Sequence, residues 1–237
     1  MNPDLDVVRN ARARSMRLAV DPRSGRVRLT LPPRASLKSG LAWAAEQQGW
    51  IERQRARLPE GRPFAPDMAI PFGDGTLTIV WPAGTARLPR HVGDELFCGG
   101  PREGLERRIE RWLRAEALRV LSEETAEFAA KAGVRVTGVS IGDPRARWGS
   151  CAASGAIRYS WRLILAPAFV RRATVAHEVA HRVHMNHGRE FHAFARELLG
   201  ADHGPARAWL RRNGSALHWV GRPFSSLAPS GERVAQT

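Results

Sequence analysis

The chain has 237 residues, 43% of them hydrophobic and 25% charged, which is typical of a folded globular protein of one or two domains and not of a disordered one. No run reaches the roughly 18 apolar residues that a membrane span needs. Residues 1–6 are polar and start no secretory signal, so we expect a cytoplasmic protein without a membrane partner. Cys98 and Cys151 are far apart and form no C-x-x-C pair, which argues against a disulfide framework or a cysteine zinc site.

The formal net charge of +14 comes almost entirely from arginine, since Lys38 and Lys131 are the only lysines. Such an excess attracts polyanions, so nucleic acid is a candidate partner. The arginines are scattered, however, and no block of five or six basic residues occurs. Composition alone therefore does not predict a nucleic-acid surface.

The first hundred residues are predicted to be rich in β structure. Residues 16–31 alternate apolar and polar side chains around a turn at 21–25, which predicts a hairpin. Residues 36–58 follow a helical period that Pro59 ends. Residues 68–97 form a second β stretch, and glycines at 99 and 100 with Pro101 punctuate the chain there. We expect an N-terminal region over 1–100 with β-hairpins and one helix.

The remaining chain predicts an α+β domain over residues 101–220. Apolar residues at three- and four-residue spacing predict a helix from Leu105 that ends at Gly133. Strands are predicted over 134–141, 147–151 and 157–163, and Pro167 begins a helix that runs to about Met185. A further helix is predicted over 187–199. Gly, Pro and Ser become frequent after Val220, so residues 221–237 are predicted to form a mobile tail.

The residues His177, Glu178 and His181 form an H-E-x-x-H motif within the predicted helix. Residues four apart share one helix face, so the two imidazoles can bind one zinc ion while the glutamate reaches an activated water. A catalytic zinc usually has three protein ligands, so a third ligand is expected.

Three residues are candidates for that third ligand. His187 lies between Asn186 and Gly188, residues that readily end a helix and let the chain turn back. His184 is two turns from His177, about 10.5 Å along the helix axis, which makes convergence difficult. Glu197 could approach from the next predicted helix.

Four segments occur in order: RWGSC at 147–151, YSWRLILAP at 159–167, HEVAH at 177–181 and HMNHGREF at 184–191. Together they closely resemble the YgjP-like metallopeptidase family, a relative of the SprT-like zincins. The resemblance implies a zincin-like domain with one Zn²⁺ ion, and it implies that His187 is the third ligand. Ser160, Arg182 and His192 depart from the family pattern without removing a ligand or the base, so they bear on substrate preference.

These observations predict a zinc-dependent metallopeptidase that hydrolyses peptide bonds through a metal-activated water, with Glu178 as general base. Arg147, Tyr159 and Arg162 are predicted to contact a peptide or protein substrate, and strand 147–151 to pair with an extended peptide. Trp148 and Trp161 are interpreted as packing residues.

Two alternatives stay open. Arginines near the motifs could clamp a phosphorylated or nucleotide substrate for a zinc-dependent hydrolase, the candidates being Arg145, Arg147, Arg158 and Arg162. The chain could also be a nucleic-acid-associated protease module, or one whose metal is structural.

Overall fold

A computed structural model of the protein describes residues 5–82, 84–144 and 146–223. Over these residues the chain forms ten strands in three small sheets and six α-helices, which confirms the α+β class. None of the described helices combines the length and the apolar character of a membrane span. Of the predicted tail, residues 224–237 lie outside the described residues. The chain divides into two compact units, one up to Gly61 and one over Arg62–Arg222.

The described residues of the first unit form one sheet and two helices. Its strands are β1 (Leu5–Arg9), β2 (Arg17–Val20) and β3 (Val27–Leu31), and its helices are α1 (Leu37–Glu46) and α2 (Gln48–Arg55). β2 and β3 pair antiparallel, as the predicted hairpin requires, whereas the parallel pairing of β1 with β3 was not predicted. The single helix expected over 36–58 is divided at Gln47, which ends α1 and begins α2.

The second unit begins with a four-stranded sheet and a long helix. The strands are β4 (Ala69–Phe72), β5 (Gly75–Val80), β6 (Arg90–Val92) and β7 (Glu95–Phe97), followed by α3 (Leu105–Ala132). Helix α3 ends at Gly133, whose φ of 64° is a left-handed conformation that glycine adopts without strain. Side chains from β4, β5 and β7 share one core with α3. The boundary expected near residue 100 therefore lies inside this unit.

A second sheet of this unit carries the first of the four segments that resemble the family and the start of the second. It consists of β8 (Gly138–Gly142), β9 (Gly149–Cys151) and β10 (Ala156–Ser160) in the order β8-β10-β9, so β9 is an edge strand. The strand predicted to reach residue 163 instead ends at Ser160, because the chain turns into a buried 3₁₀ helix over Trp161–Leu165.

Three helices complete the unit: α4 (Ala168–Ala180), α5 (Arg189–Leu199) and α6 (Gly204–Leu217). Helix α4 ends about five residues earlier than predicted, and α6 was not predicted. The early end of α4 matters because it frees the residues between α4 and α5 to turn back.

Candidate metal centre

Three histidines converge where α4 ends. His177 lies in the last turn of α4, and His181 caps its C-terminus with backbone angles that are still helical, so the one-turn spacing between the two rings is kept. His187 comes from the segment between α4 and α5. One ligand nitrogen of each ring lies within 4.8 Å of the other two.

The arrangement of these nitrogens fits a tetrahedral metal ion. The Nε2 atoms of His177 and His187 are 3.1 Å apart, and two nitrogens bound to one zinc ion are separated by about 3.3 Å. Nδ1 of His181 lies 3.1 Å from the carbonyl oxygen of His184, which can only accept, so Nδ1 donates. This hydrogen bond leaves the Nε2 lone pair of His181 available as a ligand.

Phe191 packs against all three histidine rings. Its ring is almost fully buried and lies 4.9, 4.6 and 4.7 Å from the ring centres of His177, His181 and His187. Burial, with smaller contributions from the charges of His181 and His187, lowers the pKa of His177 to about 3. Burial likewise lowers the pKa of His181. His177 and His181 are thus held as neutral imidazoles, the form that binds a metal.

Glu178 points from α4 toward the edge strand β9. A Cβ atom placed on Gly149 would lie 2.6 Å from Oε1 of Glu178, so only glycine leaves room for this carboxyl group. Burial raises the pKa of Glu178 to about 7, although the charge of Arg147 and a hydrogen bond from the Cys151 backbone oppose this rise. A carboxyl group with this pKa can take up and release a proton near neutral pH.

A cleft of about 280 Å³ opens beside this group. Its walls come from β9, α4, α5 and α6, and they include His177, Glu178, Arg147 and Trp148. Of the three departures from the family pattern, only His192 lines the cleft. Trp148 lines the cleft and also packs against the core, and Trp161 is buried in the core, so both pack as interpreted.

Of the three predicted substrate contacts, the structure places only Arg147 at the cleft. Tyr159 is fully buried, and its hydroxyl lies 3.0 Å from Oγ1 of Thr125, so it belongs to the core. Arg162 is also buried. It donates to both carboxylate oxygens of Asp143 at 2.8 and 3.0 Å, and its third nitrogen donates to the Leu217 and Val220 carbonyls.

The structure also shows where the arginines that could bind a phosphorylated substrate lie. Arg162 is occupied by Asp143, and Arg158 packs against the backbone of Gly142 in the neighbouring strand. Arg145 lies outside the described residues. Of the three predicted arginines that the structure describes, only Arg147 lies at the cleft.

The other candidate ligands do not join the triad. Glu197 is exposed on α5, and the described cluster of potential ligands does not include it. His184 contributes its backbone carbonyl to His181, while its ring contacts Phe194 at a centroid distance of 5.8 Å.

Sequence reasoning did not single out several residues of the site, among them Gly149, His203 and Arg207. Gly149 appeared only as part of a motif, although a glycine between larger residues in a strand indicates a close approach by another group. His203 and Arg207 line the cleft from the start of α6. No local pattern indicated them, because α6 itself was not predicted.

The comparison with protein families supports a metallopeptidase. The family model described as YgjP-like, metallopeptidase domain, matches residues 14–213. The chain belongs to this family. The YgjP-like match covers most of both compact units, so the first unit is part of the family's domain and not an unrelated addition. No curated protein matched the chain, and no solved structure matched it.

Proposed function

We propose that this YgjP-like protein is a zinc-dependent peptidase in which His177, His181 and His187 hold one Zn²⁺ ion and Glu178 is the general base. The observation that carries the proposal is the convergence of three imidazole nitrogens within 4.8 Å beside a buried carboxyl group. Three histidines leave the fourth position of a tetrahedral ion open, as catalytic zinc sites require. Zinc, when bound, makes water more acidic and polarises the carbonyl of a scissile bond.

The protein's own groups then have separate tasks. Glu178 takes a proton from the attacking water and delivers it to the leaving amine, which its pKa of about 7 permits. Gly149 allows that carboxyl group to lie against β9. Because β9 pairs only with β10 in the described sheet, its other edge offers backbone groups to an extended peptide.

The proposal is tested by cleavage of an unbiased peptide library with zinc-loaded protein. We expect Glu178→Gln to bind zinc normally and to lose about 10²–10⁴-fold in cleavage rate. The matched control is Glu197→Gln, which changes an exposed glutamate outside the triad and should keep full activity. Equal cleavage by wild type and Glu178→Gln would refute the role of Glu178, and no cleavage by any of the three proteins would refute the peptidase function.

A further inference from the structure

Two arginines of the cleft lining form no ion pair in the part of the chain that the structure describes. Arg147 directly precedes Trp148 and β9, and Arg207 lies in the first turn of α6. Both side chains belong to exposed residues, and neither guanidinium has a hydrogen bond or an ion pair within the part of the chain that the structure describes. Among the described lining residues, Glu178 alone is acidic. The cleft therefore offers unused donors for an anionic group.

Other arginines of the same unit do form ion pairs with carboxylates. Arg162 pairs with Asp143, Arg171 with Glu124 and Arg172 with Glu127. Helix α6 itself offers a direct comparison, because Arg211 lies one turn after Arg207 and is also exposed, yet it does not line the cleft. Arg207 is thus distinguished by its position and not by its residue type.

The rest of the lining is mainly apolar. Its apolar residues include Trp148, Phe191, Ala195 and Leu210. A volume of about 280 Å³ is at the lower end of the range for small-ligand pockets, so the cleft holds one or two residues of a peptide and not a long segment. The apolar walls fit an apolar side chain, and the two guanidinium groups fit a carboxylate.

We propose that the cleft selects peptides that place a carboxylate next to an apolar side chain, with Arg147 and Arg207 binding the carboxylate. This inference rests on the proposed peptidase function, because it places the peptide beside Glu178. The carboxylate can be the free C-terminus of the peptide or the side chain of Asp or Glu. Both sources present the same chemistry to the two arginines.

The test measures peptide binding without turnover, by fluorescence anisotropy with the zinc-loaded Glu178→Gln protein. Four labelled probes are used: Ala-Ala-Ala-Leu as free acid, the same peptide as C-terminal amide, and two amides in which Glu or Gln replaces the third alanine. We expect at least one carboxylate probe to bind about tenfold more tightly than its neutral match. Preference for the free acid identifies the C-terminus, and preference for the Glu amide identifies the side chain.

Arginine variants decide whether the cleft causes this preference. We expect Arg207→Gln and Arg147→Gln each to remove most of the tenfold difference while binding of the neutral amides is unchanged. Arg211→Gln is the matched control and should keep the full difference. The inference is overturned if all four probes bind equally, or if the preference survives in both cleft variants, as it would if the metal alone bound the carboxylate.

The outcome can be separated from that of the proposed function. Selective binding without cleavage by the wild type would support the anion site and refute the peptidase. Cleavage that shows no carboxylate preference would support the peptidase and refute this inference.

Discussion

Two neighbouring segments of the second unit use the same residue types in opposite ways. Residues 147–151 lead into the edge strand and place Arg147 and Gly149 at the cleft. Residues 159–163 continue from the partner strand and place Tyr159 and Arg162 in the interior. An arginine and an aromatic side chain occur in each segment, so residue type does not distinguish them. The difference is the place of each segment, since the first leads into the edge strand β9 and the second runs from the central strand β10 into the buried 3₁₀ helix.

This comparison separates residues that serve chemistry from residues that serve stability. Replacing Arg147 or Gly149 of the first segment should change the unfolding free energy little but should impair substrate binding or cleavage strongly. The groups of the second segment should show the reverse, because their hydrogen bonds are buried.

The largest effect on stability is expected for Arg162→Ala. The change removes a buried guanidinium that donates to the Asp143 carboxylate and to two backbone carbonyls. Because Asp143 itself is exposed, we expect a loss of about 2–3 kcal/mol of unfolding free energy, less than for a fully buried pair. Arg147→Ala removes an exposed side chain without a partner and should change stability by no more than about 0.5 kcal/mol. Urea unfolding of both variants measures the contrast. Equal losses would show that the two segments do not differ as described.

A large effect on activity is expected for Gly149→Ala. The added Cβ would lie 2.6 Å from Oε1 of Glu178, so the carboxyl group must move away from its present position. A misplacement of a catalytic group by about 1 Å costs about 100-fold in cleavage rate. The zinc content of the variant should be unchanged. Gly138→Ala is the matched control in β8, because no atom lies within 4 Å of its added Cβ. Equal activity of both alanine variants would argue against the positioning role of Gly149.

A pH-dependent effect is expected for Asp143→Asn. Burial raises the pKa of Asp143, but hydrogen bonds and charge from Arg162 outweigh it, so the pKa lies below the ordinary value of 3.8. The folded protein therefore binds this proton more weakly than the unfolded chain, and stability falls as the pH drops below about 3.8. At neutral pH the variant should be less stable by about 1–2 kcal/mol. The two unfolding curves should converge toward pH 2, and a difference that does not depend on pH would contradict the assignment.

The smallest effect is expected for Tyr159→Phe. The loss of the hydroxyl removes one buried hydrogen bond to Thr125, which itself still donates to the Leu121 carbonyl. We expect a loss of about 1 kcal/mol in unfolding free energy and no change in kcat/KM. A large rise in KM would instead place Tyr159 among the substrate contacts, as the sequence alone had suggested.

The sequence predicted those features that depend on neighbouring residues along the chain. The helix from Leu105 to Gly133, the hairpin of β2 and β3, and the motif from His177 to His181 follow from local periodicity and spacing. The structure also brings His187 to the other two histidines, as the resemblance implied. A nucleic-acid partner stays a prediction.

The features that the sequence did not predict depend on packing between distant segments. Tyr159 and Ser160 are consecutive and both buried, which breaks the alternation of a half-exposed strand because the chain turns inward after β10. Arg207 reaches the cleft only because α6 packs against α4. Gly149 is required by Glu178, which lies 29 residues further along the sequence.

The metal content of the purified protein tests the central claim most directly. Atomic absorption after purification without chelators should find about one zinc ion per chain in the wild type, in Glu178→Gln and in Glu197→Ala. His187→Ala should lose most of its zinc, because two histidines alone bind it weakly. A wild type without metal, or a His187→Ala variant that keeps the ion while Glu197→Ala loses it, would contradict the proposed centre.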